Sequence, residues 1–481
     1  MIKSKLFHFL SVLKKDEMDI IKKMVYSPFF NEKKENIAFF EYLYKQYPFQ
    51  DERKIEKEVI FKKVRGKTAV YDDAWMRKRM TDLFAIIKKF IYYHAETSAS
   101  SQALQYVHFC ETHNLIQYME EGLKEFEQLD TLYESSESLH KHATFVEYRF
   151  RQQFATGNGR TSEVSITDII RNNRIAAVAK ELEWYCASLN NQKIYKLEMA
   201  DKSRLFDFEA TQSDESLWNV AFIRMYFHIY NFLQSKKEKE TPFNQAFECY
   251  FENKHKFSPV QNTTFAVYLL GFCYSQIAKG DKSYLETVLR IYDTMIADLS
   301  ILVNSQMPMD TFVEIIRNVS RLQKWDWIAA FRQQFEPLLP EDDKQIIVDW
   351  ADVIIRIRRG ENEEAQQLLA NIPKIKIDRM ELQIRALRII NNYERFSPDE
   401  RFDQLSVMID SFRQFIYRSV DLAEQLKTRY LNFAAYFDRF LQIPDFDKPK
   451  FFRLHNEIAK DVSMFERDWL MEKIEKKTEA S

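Results

Sequence analysis

The residues of this sequence whose types and spacing best suit chemistry are two Glu-x-x-His pairs, Glu137/His140 and Glu252/His255. In ferritin-like helical bundles, two such pairs and two further carboxylates hold two metal ions, and the three-residue spacing places each Glu and its His on one helix face. Carboxylates with that role are embedded in apolar helices. Glu137 instead lies in ESSESLHKH, and Glu252 lies in a polar stretch that ends at Pro259. The sequence predicts no metal or other cofactor, and a helical-bundle metalloenzyme is kept as an alternative hypothesis.

A second mixed group, His108, Cys110 and His113, is a poorer metal candidate. His108 and Cys110 project about 200° apart on a helix and would need a distorted backbone to share one ion. The four cysteines are far apart, form no Cys-x-x-Cys motif and each lie beside apolar or aromatic residues. This usage favours reduced core thiols in a cytoplasmic protein over a disulfide framework.

Glycine is scarce, and this argues against catalysis that depends on loops. The chain has 7 glycines in 481 residues, whereas average usage gives roughly 34. Glycine supplies the positive φ angles of phosphate-binding loops and strained catalytic turns. No Walker A, G-x-G-x-x-G, G-x-S-x-G or H-E-x-x-H motif occurs. We therefore expect a protein that is not an enzyme.

The first 96 residues are basic. They contain 21 Lys and Arg against 14 Asp and Glu, a net charge of +7, and because the whole chain carries −2 the remainder carries −9. Arg77, Lys78 and Arg79 follow the turn at Gly66 and would lie at the start of a second helix. A helix–turn–helix with a basic second helix is a DNA-reading arrangement. A nucleic-acid-binding regulator is thus one alternative, and a solvated or partner-binding face of a small helical domain is the other.

Apolar residues recur at helical spacing in the segments tested. One stripe runs through residues 71–94, a second follows Pro398 and a third runs through residues 422–441. The second and third segments are separated by a few residues around 419–421, which predicts an antiparallel helical hairpin. Residues 160–241 contain no proline or glycine and predict long helices. No alternating strand pattern is present, so the fold class is all-α.

From about Pro259 onward, paired helices recur every 33–40 residues, a period typical of α-solenoids. In the clearest unit, Gln345 to Pro373, one helix ends at Arg358-Arg359-Gly360 and Ala365 follows in the next. The glycine at the turn and the small residue five positions later resemble the tetratricopeptide (TPR) pattern. Asp352-Val353 stands where a small residue is usual, so the unit is TPR-like and degenerate.

A wider resemblance covers about half of the chain. It rests on Ser27 to Asn31 (SPFFN), Tyr47-Pro48, Tyr71-Asp72-Asp73 and the helix that follows, and on Trp325-Asp326-Trp327 to Leu339-Pro340 with Ser411 to Tyr417 and Tyr430 to Phe433. These stretches resemble a family of uncharacterised bacterial helical-repeat proteins. That family has no assigned activity, so the resemblance implies an architecture and transfers no site residues.

These observations predict three segments: a basic N-terminal helical domain (1–96), a long-helix middle region (97–258) and a TPR-like α-solenoid (259–475). The apolar window at residues 265–274 is too short to span a bilayer and predicts no membrane association. The function favoured is a scaffold that binds a segment of a partner protein along the helical repeats. The candidate partner-binding residues are Arg77, Lys78, Arg79, Trp325 and Trp327, although two tryptophans flanking Asp326 are also typical of core packing between repeats.

Overall fold

The structure is a computed structural model of the full chain. It describes residues 4–49, 51–66, 68–95, 98–129, 134–157, 163–195, 208–235, 239–303, 305–341, 343–373, 378–419, 422, 424–460 and 463–479. These residues form 24 α-helices and no β-strand, and an isolated β-bridge joins Val303 and Gln306. The all-α class predicted from the periodicity is therefore confirmed.

The chain divides into two compact units, unit 1 (Met1–Thr131 and Thr144–Ser165) and unit 2 (Leu132–Ala143 and Ile166–Ser481). The helices up to the division, which falls inside the last of them, are α1 (Lys5–Val12), α2 (Lys15–Tyr26), α3 (Lys34–Lys45), α4 (Lys57–Arg65), α5 (Asp73–Ala95), α6 (Ala99–Thr112), α7 (Met119–Leu129) and α8 (Ser136–Ala155).

Unit 2 continues with the longest helix and then a succession of shorter ones. They are α9 (Ile166–Tyr195), α10 (Phe208–Ser213), α11 (Glu215–Trp218), α12 (Ala221–Gln234), α13 (Glu240–Asn253), α14 (Pro259–Lys279), α15 (Tyr284–Ala297), α16 (Met309–Arg321), α17 (Trp325–Phe335), α18 (Lys344–Arg359), α19 (Asn362–Asn371), α20 (Asp378–Arg395), α21 (Pro398–Arg418), α22 (Glu424–Leu441), α23 (Lys448–Ala459) and α24 (Arg467–Glu479).

The N-terminal helices of unit 1 share one apolar core. The predicted stripe of residues 71–94 forms α5, and α1, α2 and α3 pack against it. Phe39, Phe40, Leu83 and Ile87 are fully buried in this core, whose buried members all lie between residues 6 and 90. Residues 1–96 thus have a core of their own, as a separate domain requires, while the proposed boundaries at 96 and 258 stay predictions.

In unit 2 the helices from α14 to α17 and from α18 to α24 each pack against their neighbour in the chain, and α16 packs against both α17 and α18. Two glycines explain where helices of unit 2 end: Gly280 and Gly360 cap α14 and α18 in left-handed conformations, with φ of 103° and 78°. The predicted hairpin is formed by α21 and α22, which are joined by a short connection. Short connections and chain-order packing keep the polar side chains of successive helices close together.

Within residues 160–241, for which the sequence predicts long helices, the helix is interrupted at residues 219–220. Helix α11 ends at Trp218 and α12 begins at Ala221, because Val220 adopts an extended conformation with φ −82° and ψ 111°. The Trp218 ring then packs edge-on against Phe227 at 5.2 Å between centroids. Apolar periodicity alone does not report such a break, since both pieces remain buried.

The four cysteines are buried and free, as the sequence predicts: Cys110, Cys186, Cys249 and Cys273. Burial raises the pKa of Cys186 and Cys273 well above the ordinary thiol range. Among the described residues, no helix has the length and apolar character needed to cross a bilayer. Cytoplasmic location stays a prediction.

Candidate functional site

The two tryptophans predicted to bind a partner lie on the first turn of α17 and have different surroundings. The Trp327 indole Nε1 donates a hydrogen bond to Asp293 Oδ1 at 2.9 Å, and its ring stacks on Phe331. The Trp325 ring is half-buried, and the Arg359 guanidinium lies over it at 4.6 Å from the centroid. Two contacts thus hold Trp327 within unit 2, whereas the Trp325 ring has the Arg359 guanidinium over its face.

Trp325 and Arg359 line a cavity of about 170 Å³ between α17 and α18. Its apolar surface comes from Trp325, Ile328, Ala329 and Ile355, and the rest is charged. Ala329 is exposed beside the opening. The two helices lie side by side here because α16, which precedes α17, packs against both of them.

The charged groups that line this cavity are unevenly paired. Arg332 contacts Asp352 Oδ1 at 2.5 Å, and Arg356 contacts Glu361 Oε2 at 3.1 Å. Burial alone would lower the pKa of Arg332, but Asp352 and Glu336 outweigh that effect and raise it. Within the described part of the chain, Arg359 forms no ion pair or hydrogen bond. The lining therefore carries three guanidinium groups against two carboxylates, and Arg359 supplies the excess positive charge.

The basic residues predicted at the start of α5, Arg77, Lys78 and Arg79, do not form one continuous surface. Arg77 is exposed, and its Nε donates to Asp73 Oδ2 at 2.6 Å. Hydrogen bonds from Tyr71, Arg77 and Lys57 lower the pKa of Asp73 to about 2. Lys78 is exposed. Positive charge at Arg77 is thus offset by a neighbour on its own helix.

Arg79 is buried, with 4% of its side chain exposed. Its Nη1 contacts Glu35 Oε2 at 2.9 Å and Asn36 Oδ1 at 3.1 Å, and its Nη2 contacts Asp82 Oδ2 at 3.0 Å. A guanidinium with two carboxylates and an amide around it holds α3 against α5. Because a DNA-reading residue has to reach the groove, the nucleic-acid hypothesis loses one of its three named residues.

The Glu-x-x-His pairs do not come together as a metal site. No group of three or more His, Cys, Asp or Glu residues able to hold a metal ion occurs among the residues that the structure describes. Glu137 Oε1 contacts Lys141 Nζ at 2.7 Å, and Lys141 lowers the pKa of Glu137. His255 lies in the short 3₁₀ turn Lys254–Lys256 after α13.

The His108, Cys110 and His113 group is also divided. His108 Nδ1 lies 3.0 Å from the Tyr148 hydroxyl, and the His113 ring stacks on Phe109 at 4.0 Å. Cys110 is buried on another side of α6, as its angular separation from His108 predicts.

Sequence reasoning did not single out the arginines that the structure brings together in unit 2. Arg359 appeared only as part of a helix end, and Arg317 and Arg429 lie 112 positions apart in the sequence with no shared motif. No local sequence pattern links Arg317 and Arg429, because they belong to separate helices, α16 and α22. No family model, no curated protein and no solved structure matches this chain.

Proposed function

We propose that this chain is a non-enzymatic scaffold built from degenerate TPR-like helical hairpins, and that it binds an acidic segment of a partner protein. The observation that carries the proposal is the cavity at Trp325 and Arg359, where an indole face and a guanidinium without a carboxylate partner line the same opening.

The repeat architecture is supported by two details of unit 2. Helices α14 to α17 and α18 to α24 pack in chain order, and α16 joins the two runs by packing against α18. Packing in chain order is how helical-hairpin repeats bury their stripes. In the clearest unit, Gly360 caps α18 in a left-handed conformation and Ala365 is fully buried on α19. The small side chain at position 365 lets the two helices approach closely.

The chemistry of the cavity favours a segment with both an apolar and an acidic side chain. Trp325, Ile328 and Ile355 supply apolar area, and aromatic groups of this kind dominate the energetics of many interfaces. Arg359 supplies a donor fork for a carboxylate. Since Arg332 and Arg356 already have carboxylate partners, the added acidic group would meet Arg359.

Site-specific photo-crosslinking tests this proposal. A benzoyl-phenylalanine placed at exposed Ala329 in the living source cell is expected to yield a discrete crosslinked protein. Arg359→Glu is expected to reduce that yield by about tenfold, the effect of reversing one charge-assisted contact. The crosslinked segment is then identified by mass spectrometry and tested as a synthetic peptide.

The matched control places the same photoreactive residue at Val267, which is exposed on α14. The proposal is overturned if positions 329 and 267 give the same products, or if the product at 329 is insensitive to Arg359→Glu while the variant retains the wild-type Tm.

A further inference from the structure

A second group of charged residues lies away from the Trp325 cavity and joins four elements of unit 2. It contains Glu314, Arg317 and Arg321 of α16, Arg358 of α18, Arg429 of α22, and Glu466 and Asp468 at the start of α24. We refer to these seven residues as the arginine cluster. Asp468 and Glu466 have 11% and 9% of their side chains exposed, so the charges lie largely out of water.

Six of the seven residues form three ion pairs. Arg317 Nη2 contacts Glu314 Oε1 at 2.6 Å and Oε2 at 2.7 Å. Arg358 pairs with Glu466, and Arg321 pairs with Asp468. Each carboxylate thus has one guanidinium.

Arg429 is the seventh residue, and it has no such partner. In the described residues its side chain forms no hydrogen bond and no ion pair, and its Nε is buried without an acceptor. Burial, and then the positive charge of Arg317, lower the pKa of Arg429. A buried donor without an acceptor costs free energy, and the charges of Glu314 and Glu466 offset only part of the effects that lower the pKa of Arg429.

The surroundings of Arg429 are fixed by packing. The Tyr430 ring stacks on Phe465 at 4.8 Å, and the Arg317 guanidinium lies 5.8 Å from the Phe465 centroid. The Phe465 backbone N–H donates to the Arg429 carbonyl at 3.3 Å. These contacts hold the segment before α24 against α22, and Glu466 keeps a positive φ of 46° there.

We propose that the arginine cluster is a binding site for a carboxylate group, which Arg429 receives through its two Nη donors. The edge of a guanidinium presents two parallel N–H groups that match the two oxygens of a carboxylate. The site is independent of the Trp325 cavity and of the scaffold function proposed for it.

Charge balance selects this ligand class. The cluster holds four guanidinium groups and three carboxylates, a net charge of +1. One carboxylate brings the total to zero and supplies an acceptor for the Arg429 Nη donors. A phosphate dianion would leave a net negative charge in a poorly solvated place, which is costly. The carboxylate belongs either to a small organic acid or to an acidic side chain of a peptide.

A purely structural arginine and a ligand-binding arginine differ in their effect on the free protein. Removing one member of a closed buried ion pair destabilises a protein by about 3–5 kcal/mol. Arg429→Met instead leaves three complete pairs, and the repulsion with Arg317 that it removes offsets the attraction to Glu314 and Glu466 that is lost with it. We expect the Tm of ligand-free Arg429→Met to fall by much less than the Tm of a variant with a broken ion pair.

The test measures carboxylate binding to the full chain by two readouts. One is the Tm in sodium acetate against sodium chloride at equal ionic strength. The other is the side-chain Nε–H resonance of Arg429 in protein labelled with ¹⁵N-arginine, assigned from its absence in Arg429→Met. Acetate is expected to raise the Tm of the wild type in a saturable way, because a ligand that binds only the folded state stabilises it. It is also expected to move the Arg429 resonance.

Arg429→Met is expected to bind acetate at least about tenfold more weakly, the loss of one charge-assisted bidentate contact. Arg413→Met is the matched control, since Arg413 is a partly buried arginine on α21 that already contacts Asp410 and Asp438. It is expected to keep the full acetate response.

A blocked tripeptide with a central Glu, and its Gln counterpart, identify the source of the carboxylate. Tighter binding of the Glu peptide than of acetate assigns the site to an acidic side chain, and the reverse order assigns it to a small acid. The proposal is overturned if inorganic phosphate matches acetate in the wild type, or if Arg429→Met responds to acetate as the wild type does. It is also overturned if Arg429→Met lowers the ligand-free Tm as a broken ion pair would.

Discussion

Two arginines, the buried Arg79 of unit 1 and the half-buried Arg429 of unit 2, show how differently the same side chain can be used. In unit 1, Arg79 has Glu35, Asp82 and Asn36 around its two Nη atoms. Among the described residues of unit 2, Arg429 forms no side-chain hydrogen bond or ion pair and lies near a second guanidinium, that of Arg317. The Nε of each is buried without an acceptor. Both Nη atoms of Arg79 therefore have acceptors in their own chain, while the Nη donors of Arg429 remain available to a ligand.

The glycines inside helices show the same difference between the units. At Gly122 of α7, an added Cβ would lie 2.8 Å from Tyr106 Cδ1, 2.8 Å from Val107 Cγ2 and 3.0 Å from the Ala103 carbonyl oxygen, so α6 and α7 need the missing side chain. At Gly271 of α14, no atom lies within 4 Å of such a Cβ. The helical glycine of unit 1, Gly122, is required for close packing, whereas Gly271 of unit 2 is not.

The largest effect is expected from Arg79→Met. The substitution leaves Glu35, Asp82 and Asn36 without their shared cation, and we expect a loss of about 3 kcal/mol, the lower end for a broken buried pair because Glu35 is half-exposed. Differential scanning calorimetry of the full chain measures the fall in Tm. Arg77→Met is the control, expected within about 0.5 kcal/mol because its pair with Asp73 is exposed. A fall in Tm for Arg429→Met equal to that for Arg79→Met would contradict the contrast between the two arginines.

Gly122→Ala is expected to have the next largest effect. Overpacking typically costs about 1–3 kcal/mol, and the higher helix propensity of Ala offsets up to about 1 kcal/mol of it. A net loss of about 1–2 kcal/mol should appear as a lower Tm and as faster amide exchange in α6 and α7. An unchanged exchange rate in these helices would show that they can move apart freely.

Acid should weaken the arginine cluster of unit 2. Burial raises the pKa of Glu314, but the charges of Arg317 and Arg429 outweigh it and hold the pKa below its ordinary value. A carboxyl group whose pKa is lowered in the folded state stabilises the fold at pH values above its unfolded-state pKa of about 4.3. This contribution to stability is lost as the pH falls through the folded-state pKa.

Thermal denaturation between pH 6 and pH 3 measures this effect. We expect the Tm of Glu314→Gln to fall less between pH 6 and pH 3 than the Tm of the wild type. Glu341→Gln, which alters a carboxylate with 83% of its side chain exposed, should leave the profile unchanged. If the wild type and Glu314→Gln had identical profiles of Tm against pH, Glu314 of the arginine cluster would not contribute to the loss of stability in acid.

The smallest effect, and the only favourable one, is expected from Gly271→Ala. The position is helical and exposed, and its φ is not positive. Ala should therefore add up to about 1 kcal/mol through helix propensity. A rise in Tm of this size checks the prediction. A fall would mean that the α14 surface at Gly271 is covered by something that needs the space.

Much of the secondary structure follows from local pattern. Apolar stripes with a period of 3.6 residues predicted α5, α21 and α22. Gly66, Gly280 and Gly360 each end a helix with a positive φ, a conformation that favours glycine. The break between α11 and α12 was missed because apolar residues continue through it. The proposed domain boundaries and the repeat class stay predictions.

The sites depended on information that no local pattern contains. The sequence showed that Arg77, Lys78 and Arg79 are basic and adjacent, yet on a helix adjacent residues point in different directions, and Arg79 alone turns toward Glu35 and Asp82. Trp325 and Trp327 are separated by one residue and likewise have different neighbours.

The sequence by itself determined that this chain is helical, where many helices begin and end, and that its cysteines are buried, because short-range periodicity and residue size decide these properties. The tertiary structure alone decided which charges are balanced. Long-range ion pairs such as Arg321–Asp468 and Arg358–Glu466 join residues that are distant in the sequence and meet only when α16, α18 and the start of α24 come together. Whether a buried charge stabilises the fold or remains available to a ligand is fixed by that packing.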